Sequence, residues 1–176
     1  TRTTQEYIDQ LGELNARILE LNGNTAAAAK IRLEAANRIQ RNLLTRDTSP
    51  EGQAALGNLN ELEKQAVIQA RINDETKKYS LLLGDLDIQK QQIANARDAG
   101  NITELDSLYK LSAANKDYID VLKQRLAVLE AIAEQSKDPA DLQRVKQLKV
   151  QLEAISNQTD LVSKKFNDIA ISNFAD

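Results

Sequence analysis

The groups in this chain that could do chemistry are hydroxyls, amines and carboxylates, and their spacing argues against a catalytic site. Lys77-Lys78-Tyr79-Ser80 and Ser163-Lys164-Lys165 set hydroxyls beside amines. Neither run is accompanied by a glycine-rich phosphate loop or a strained nucleophile turn. Asp85 and Asp87, like Glu61 and Glu63, stand two residues apart, a spacing that makes side chains diverge around a helix. A di-iron bundle needs Glu-x-x-His, and the chain has no histidine. The absence of cysteine excludes disulfides and thiolate metal sites, and the absence of histidine removes the commonest general base and zinc ligand. No catalytic, cofactor-binding or metal-ligating residue is assigned, and the reading is of a protein that is not an enzyme.

Charge and hydropathy narrow the partner classes. Twenty-three basic and 26 acidic residues are interspersed to a net charge of −3, which gives no polycationic surface for nucleic acid or anionic lipid. The lysine pairs at 77–78 and 164–165 are offset by Asp74, Glu75, Asp160 and Asp168. The uninterrupted apolar runs are only a few residues long, such as Leu81-Leu82-Leu83, so no segment reads as a membrane span or a signal peptide. The bland composition, 41% hydrophobic but only 3% aromatic, favours long helices that meet through small aliphatic side chains.

Four punctuation marks divide the chain. Gly23 in Asn22-Gly23-Asn24-Thr25 suits the left-handed closure of a helix, with Asn24 or Thr25 as the next cap. Ser49-Pro50 supplies an N-cap and a first helical position. Ala99-Gly100-Asn101 pairs a glycine stop with an Asn101/Glu104 variant of the capping box. Asp138-Pro139 is a further helix start. The expected helices are about 3–22, 25–45, 50–98, 102–136 and 139–174, with no convincing strand pattern between them. The fold class is all-α: antiparallel helical hairpins in a coiled-coil-like bundle of about five helices, elongated because helix 50–98 would run roughly 70 Å. The expected organisation is an N-terminal hairpin over 1–46, then a long-helix bundle over 47–176 that continues into a further C-terminal domain.

Apolar residues mark three heptad seams. Tyr7, Leu11, Leu14, Ile18 and Leu21 step by four, three, four and three. Ile119, Leu122, Leu126, Leu129 and Ala133 repeat the pattern. So do Leu148, Leu152, Ile155, Val162, Phe166 and Ile169, with Thr159 filling a gap. In helix 50–98 the seam runs through Ala55, Leu59, Leu62 and Ala66 to Tyr79, Leu82, Leu86 and Ile93, slipping phase near Gln69 and Asn73. These stripes are expected to pack within the chain, with exceptions towards its ends. Glu13/Arg17, Glu34/Arg38, Asp74/Lys78, Asp106/Lys110 and Asp160/Lys164 place acid four residues before base, as on solvated helix faces.

Three stretches carry a family resemblance: "NGNTAAAAKIRLEAANRIQRNLL", "ARDAGNITELDSLYKLSAANKDYIDVLKQRLAVLE" and the closing "LVSKKFNDIAISNFAD". They resemble the helical region of tape-measure proteins from lambda-like tailed phages and prophages, a likeness of style that extends over nearly the whole chain. The resemblance implies a structural role, in which copies of the tape lie in the lumen of the growing tail, tube subunits polymerise around them, and the tape is ejected ahead of the DNA. It implies tail-tube proteins, tail-tip proteins and other copies of the chain as partners, and no small-molecule substrate, cofactor or nucleic acid. It also implies a location in the virion tail lumen, and in the host cytoplasm during assembly. On this reading the uncapped final helix, where Phe166, Ile169, Asn173 and Phe174 keep helical spacing, leads directly into a C-terminal domain, and Thr1 is a cut end. The rival reading is a generic helical interaction module, such as a secretion translocator, an adhesin stalk or a scaffold spacer. An export signal or a membrane anchor in the flanking sequence would favour that rival.

Overall fold

The computed structural model describes residues 2–175, and side chains within 4–173. It is all-α, with six helices and no strand among the described residues: α1 Arg2–Leu21, α2 Thr25–Ala36, α3 Arg38–Arg46, α4 Pro50–Asp98, α5 Glu104–Glu134 and α6 Pro139–Ala175. The side chain of Phe174 lies outside the described residues.

The punctuation works through local hydrogen bonds. Gly23 has φ +79° and Gly100 has φ +77°, a conformation that a side chain disfavours. Each closes its helix with the same pair of bonds. Gly23 N donates to Glu20 O at 3.0 Å and Asn24 N to Leu19 O at 2.8 Å; Gly100 N donates to Arg97 O at 3.0 Å and Asn101 N to Ala96 O at 2.9 Å. This double closure is the Schellman arrangement, which satisfies carbonyls the helix end would leave unpaired. Asn24 then caps α2, its Oδ1 accepting from Ala27 N at 3.2 Å. Ser49 Oγ accepts from Gly52 N at 3.0 Å, and Pro50 opens α4 as expected. A Cβ on Gly52 would fall on the Asp47 side chain, whose Oδ1 accepts from Ser49 N at 2.9 Å.

Two boundaries differ from expectation. The start of α5 is capped by Thr103, whose Oγ1 accepts from Asp106 N at 3.1 Å, rather than by Asn101, because Asn101 is already engaged in closing α4. The expected helix 25–45 is divided at Asn37, which has φ −99° and ψ 4°. Neither glycine nor proline marks this break. The Asn37 amide donates to Glu63 Oε1 on α4 at 2.9 Å, a tertiary bond that local propensity does not encode.

The chain forms two compact units, and they group residues differently from a division at 46/47. Unit 1 contains residues 1–74 and 132–139; unit 2 contains 75–131 and 140–176. In unit 1, α1 and α2 form an antiparallel hairpin, with Glu13 facing Arg32 and Asp9 facing Arg38. The α2–α3 segment runs antiparallel to the first half of α4. The Asp74 carboxylate meets Thr25 Oγ1 and accepts from Ala26 N at 3.0 Å, while Arg41 pairs with Glu63. Asp74 therefore serves as an acidic cap on the N-terminus of α2, where the helix dipole favours it, instead of forming the expected pair with Lys78. Lys78 lies 3.5 Å from Glu75. Arg38 likewise turns to Asp9 across the hairpin.

Unit 2 is a three-helix bundle. Glu75 of α4 meets Arg125 of α5 at 3.5 Å, and Ser112 of α5 meets Ser163 of α6 at 2.9 Å. These pairings make α5 antiparallel to both neighbours. Ile119, Leu122, Leu126, Leu129 and Ile132 are buried along α5, with Tyr79 and Leu86 from α4 and Val145 and Leu152 from α6 among the buried residues. Towards the start of α5 the buried set becomes small and polar, with Ser107, Ser112 and Asn115 on α5 and Thr159 on α6.

The carboxylates of Asp9, Glu13, Asp47, Glu61 and Glu63 are all held below their ordinary range. For Asp9 and Glu13 the main cause is hydrogen bonding from Arg38 and Arg32 respectively. A folded-state value depressed below the unfolded one adds stability above the unfolded value, and that stability is lost as pH falls through the folded value. All five residues belong to unit 1. Amide protection in α1 and α2 is therefore expected to fall relative to that in α5 when the pH drops from 6 to below about 3. Hydrogen exchange, corrected for intrinsic rates at each pH, measures this; equal loss in both units would refute it.

Candidate interaction surface

The three seams meet different fates. On α5, Ile119, Leu122, Leu126, Leu129 and Ala133 are all buried. On α6, Leu152 and Thr159 are buried, while Leu148, Ile155, Val162, Phe166 and Ile169 are half-buried. Phe166 lies against Tyr109, with ring centroids 5.8 Å apart. Apart from Ala133, which falls in unit 1, these two stripes belong to unit 2.

The α1 stripe is the exception. Tyr7, Leu11, Leu14, Ile18 and Leu21 are all exposed, from 43% at Leu11 to 87% at Leu21. The expectation that a seam packs within its own chain fails here, because the opposite face of α1 takes the intramolecular contacts. Ala16 on α1 and Ala26 and Ala28 on α2 are buried. At Gly12 a Cβ would stand 3.4 Å from Ile31 Cγ2. Small residues allow the two helices to approach closely, and ion pairs fix which face turns inward. The Arg32 guanidinium makes a two-pronged contact with Glu13, Nε to Oε2 at 3.0 Å and Nη2 to Oε1 at 3.0 Å, and also pairs with Glu20. Arg38 Nη2 reaches Asp9 Oδ1 at 2.7 Å. Pairs this exposed contribute little energy individually. Their geometry nevertheless sets orientation, since turning α1 over would leave both arginines without these partners.

Ile8, also exposed, widens the stripe, although it lies outside the strict four-three spacing. Its signal in the sequence was adjacency to Tyr7. In α4 the buried residues are Leu59, Ile68, Ile72, Tyr79 and Leu86. Leu62 and Ala66, assigned to the seam by spacing, are exposed. The buried residues change register between Leu59 and Ile68, while α4 continues through this stretch and Gly84 as one helix.

Among the described residues no group of three or more acidic side chains is placed to hold a metal ion. Among them, no helix is long and apolar enough to cross a membrane. A groove of about 330 Å³ in unit 1 lies between α2 and α4, lined by Leu33, Val67 and Ile68 with Lys30, Lys64 and Arg71 at its edges. Its charged residues also include Glu34 and Glu63, so no single ligand charge is selected. The largest feature suited to recognition is the α1 stripe. No protein-family model, curated protein or solved structure matches the chain.

Proposed function

We propose that this chain is a structural component of a phage tail, a helical segment of a tape-measure protein that templates assembly of the tail tube and leaves ahead of the DNA. The resemblance of the three quoted stretches supplies the family. The observation that carries the assembly role is the outward apolar stripe of α1. An exposed heptad face of this size on a helix already paired through its other face suits contact with further polypeptide. The helix turns, closed by glycines and short caps, are compatible with two arrangements, hairpins in the free chain and extended helices inside a tube.

Mass spectrometry of purified tails tests the reading. Peptides of this chain are expected in tails before DNA release and are expected to be depleted from the empty tubes left afterwards. Tails that lack the chain throughout would refute the proposal. The same stripe would also serve a translocator or stalk, and recovery of the chain in a secretion apparatus or on a cell surface would favour that alternative.

A further inference from the structure

We propose that the outward face of α1 is a self-recognition surface, and that two copies of this chain pair through Tyr7, Leu11, Leu14, Ile18 and Leu21. The pairing deepens the assembly role above, on which it rests, by naming the partner and the residues.

Three observations select a second copy as the occupant. The first is the seam itself. Leu11 and Ile18 form one column, and Tyr7, Leu14 and Leu21 form the other. Alternation of this kind is what two facing helices need for knobs to enter holes, and Ile18 in the first column between Leu14 and Leu21 in the second has the β-branched and leucine alternation of a two-stranded pair, a pattern that Leu11 and Tyr7 do not share. The second is charge. The positions beside the seam are Ile8, Gln10, Asn15 and Arg17, and Arg17 Nε already faces Glu13 Oε1 on its own helix at 3.4 Å. A row of like charges would hold copies apart, and a row of one sign would call for an oppositely charged partner. Largely neutral flanks fit a chemically identical face. The acidic residues Asp9, Glu13 and Glu20 are turned to the other side, where Arg32 of α2 and Arg38 of α3 meet them.

The third observation is area. The fractional exposures of Tyr7, Ile8, Leu11, Leu14, Ile18 and Leu21 correspond to roughly 700 Å² of apolar-residue surface per copy, close to the ~800 Å² per partner of a standard specific interface. Two copies pairing here would set two α1–α2 hairpins back to back, with the stripes forming an apolar centre. Unlike the α5 seam, this stripe is available without opening the fold.

Sedimentation equilibrium of the 176-residue chain tests the proposal, over about 1 to 200 µM. The wild-type chain is expected to dimerise reversibly in that range. Leu14→Lys with Ile18→Lys is expected to weaken the dimer roughly 100-fold or more, with unchanged circular dichroism because both side chains are exposed. The chain has no cysteine, so single reporters are clean. Leu14→Cys is expected to form disulfide-linked dimers under mild oxidation, while Val150→Cys, on an equally exposed apolar residue of α6, is not.

A monomer throughout the concentration range would overturn the pairing. So would a dimer indifferent to the lysine substitutions, which would place its interface elsewhere. A dimer lost when the parent sequence beyond either end is restored would show that the face is covered within one polypeptide. None of these outcomes alters the detection of the chain in tails, so the two proposals fail separately.

Discussion

Leu126→Asp is expected to destabilise unit 2 by about 4 kcal/mol, lowering its thermal midpoint by roughly 20 °C. Leu126 is buried on α5 between Leu122 and Leu129, both wholly removed from solvent. The substitution removes apolar contacts and puts a carboxylate on the buried face of α5. The group escapes the full ionic penalty by staying protonated, but it still loses hydration. Lys123→Glu, one turn away at an exposed position, is expected to change stability by no more than about 0.5 kcal/mol. Thermal unfolding followed by circular dichroism measures both. Equal and small shifts would mean that the assigned face of α5 does not form the core.

The second large effect concerns length. If the proposed tape-measure role holds, an in-frame deletion of residues 102–174 from the phage gene that encodes the chain removes α5 and nearly all of α6. If this segment measures as extended helix, the loss of its ~70 residues is expected to shorten the tail by roughly 110 Å, rounded to whole tube rings, at about 1.5 Å per residue. If it measures while folded, the antiparallel pairing of α5 with α6 halves the contribution or reduces it further. Electron micrographs of assembled tails separate the two. Unchanged length would exclude a ruler role for this region and favour docking or ejection. The deletion also strips Tyr79 and Leu86 of α4 of their α5 and α6 neighbours. A companion variant carrying Leu126→Asp in the full-length gene therefore separates shortening from loss of packing: it is expected to disturb the fold without altering the number of residues available for measuring.

Much of this architecture is local and was legible in the sequence. Gly23 and Gly100 stop helices because only a residue without a side chain adopts their positive φ cheaply. Ser49-Pro50 starts α4 because the hydroxyl satisfies a free N–H and proline lacks one of its own. The α5 seam was legible as an apolar stripe along one helix face, because its heptad spacing is unbroken. Local propensity also gave one helix for 25–45, since nothing between Ala36 and Arg38 resembles a stop; at the division Asn37 donates its side-chain amide to Glu63, 26 residues away.

Tertiary structure alone decided which seam became core and which became surface. The α1 and α5 stripes have the same spacing and similar residues, so their hydrophobic patterns could not distinguish them. The difference lies on the other side of α1. There Gly12 and Ala16 admit α2 closely, and Arg32 and Arg38 hold Glu13, Glu20 and Asp9. The same competition moved Asp74 from Lys78 to the start of α2 and left Leu62 exposed while Ile68 and Ile72 became buried. A helix has two faces that can pack, and its own sequence states what each offers. Which face is used depends on the shape and charge of the element that arrives opposite it.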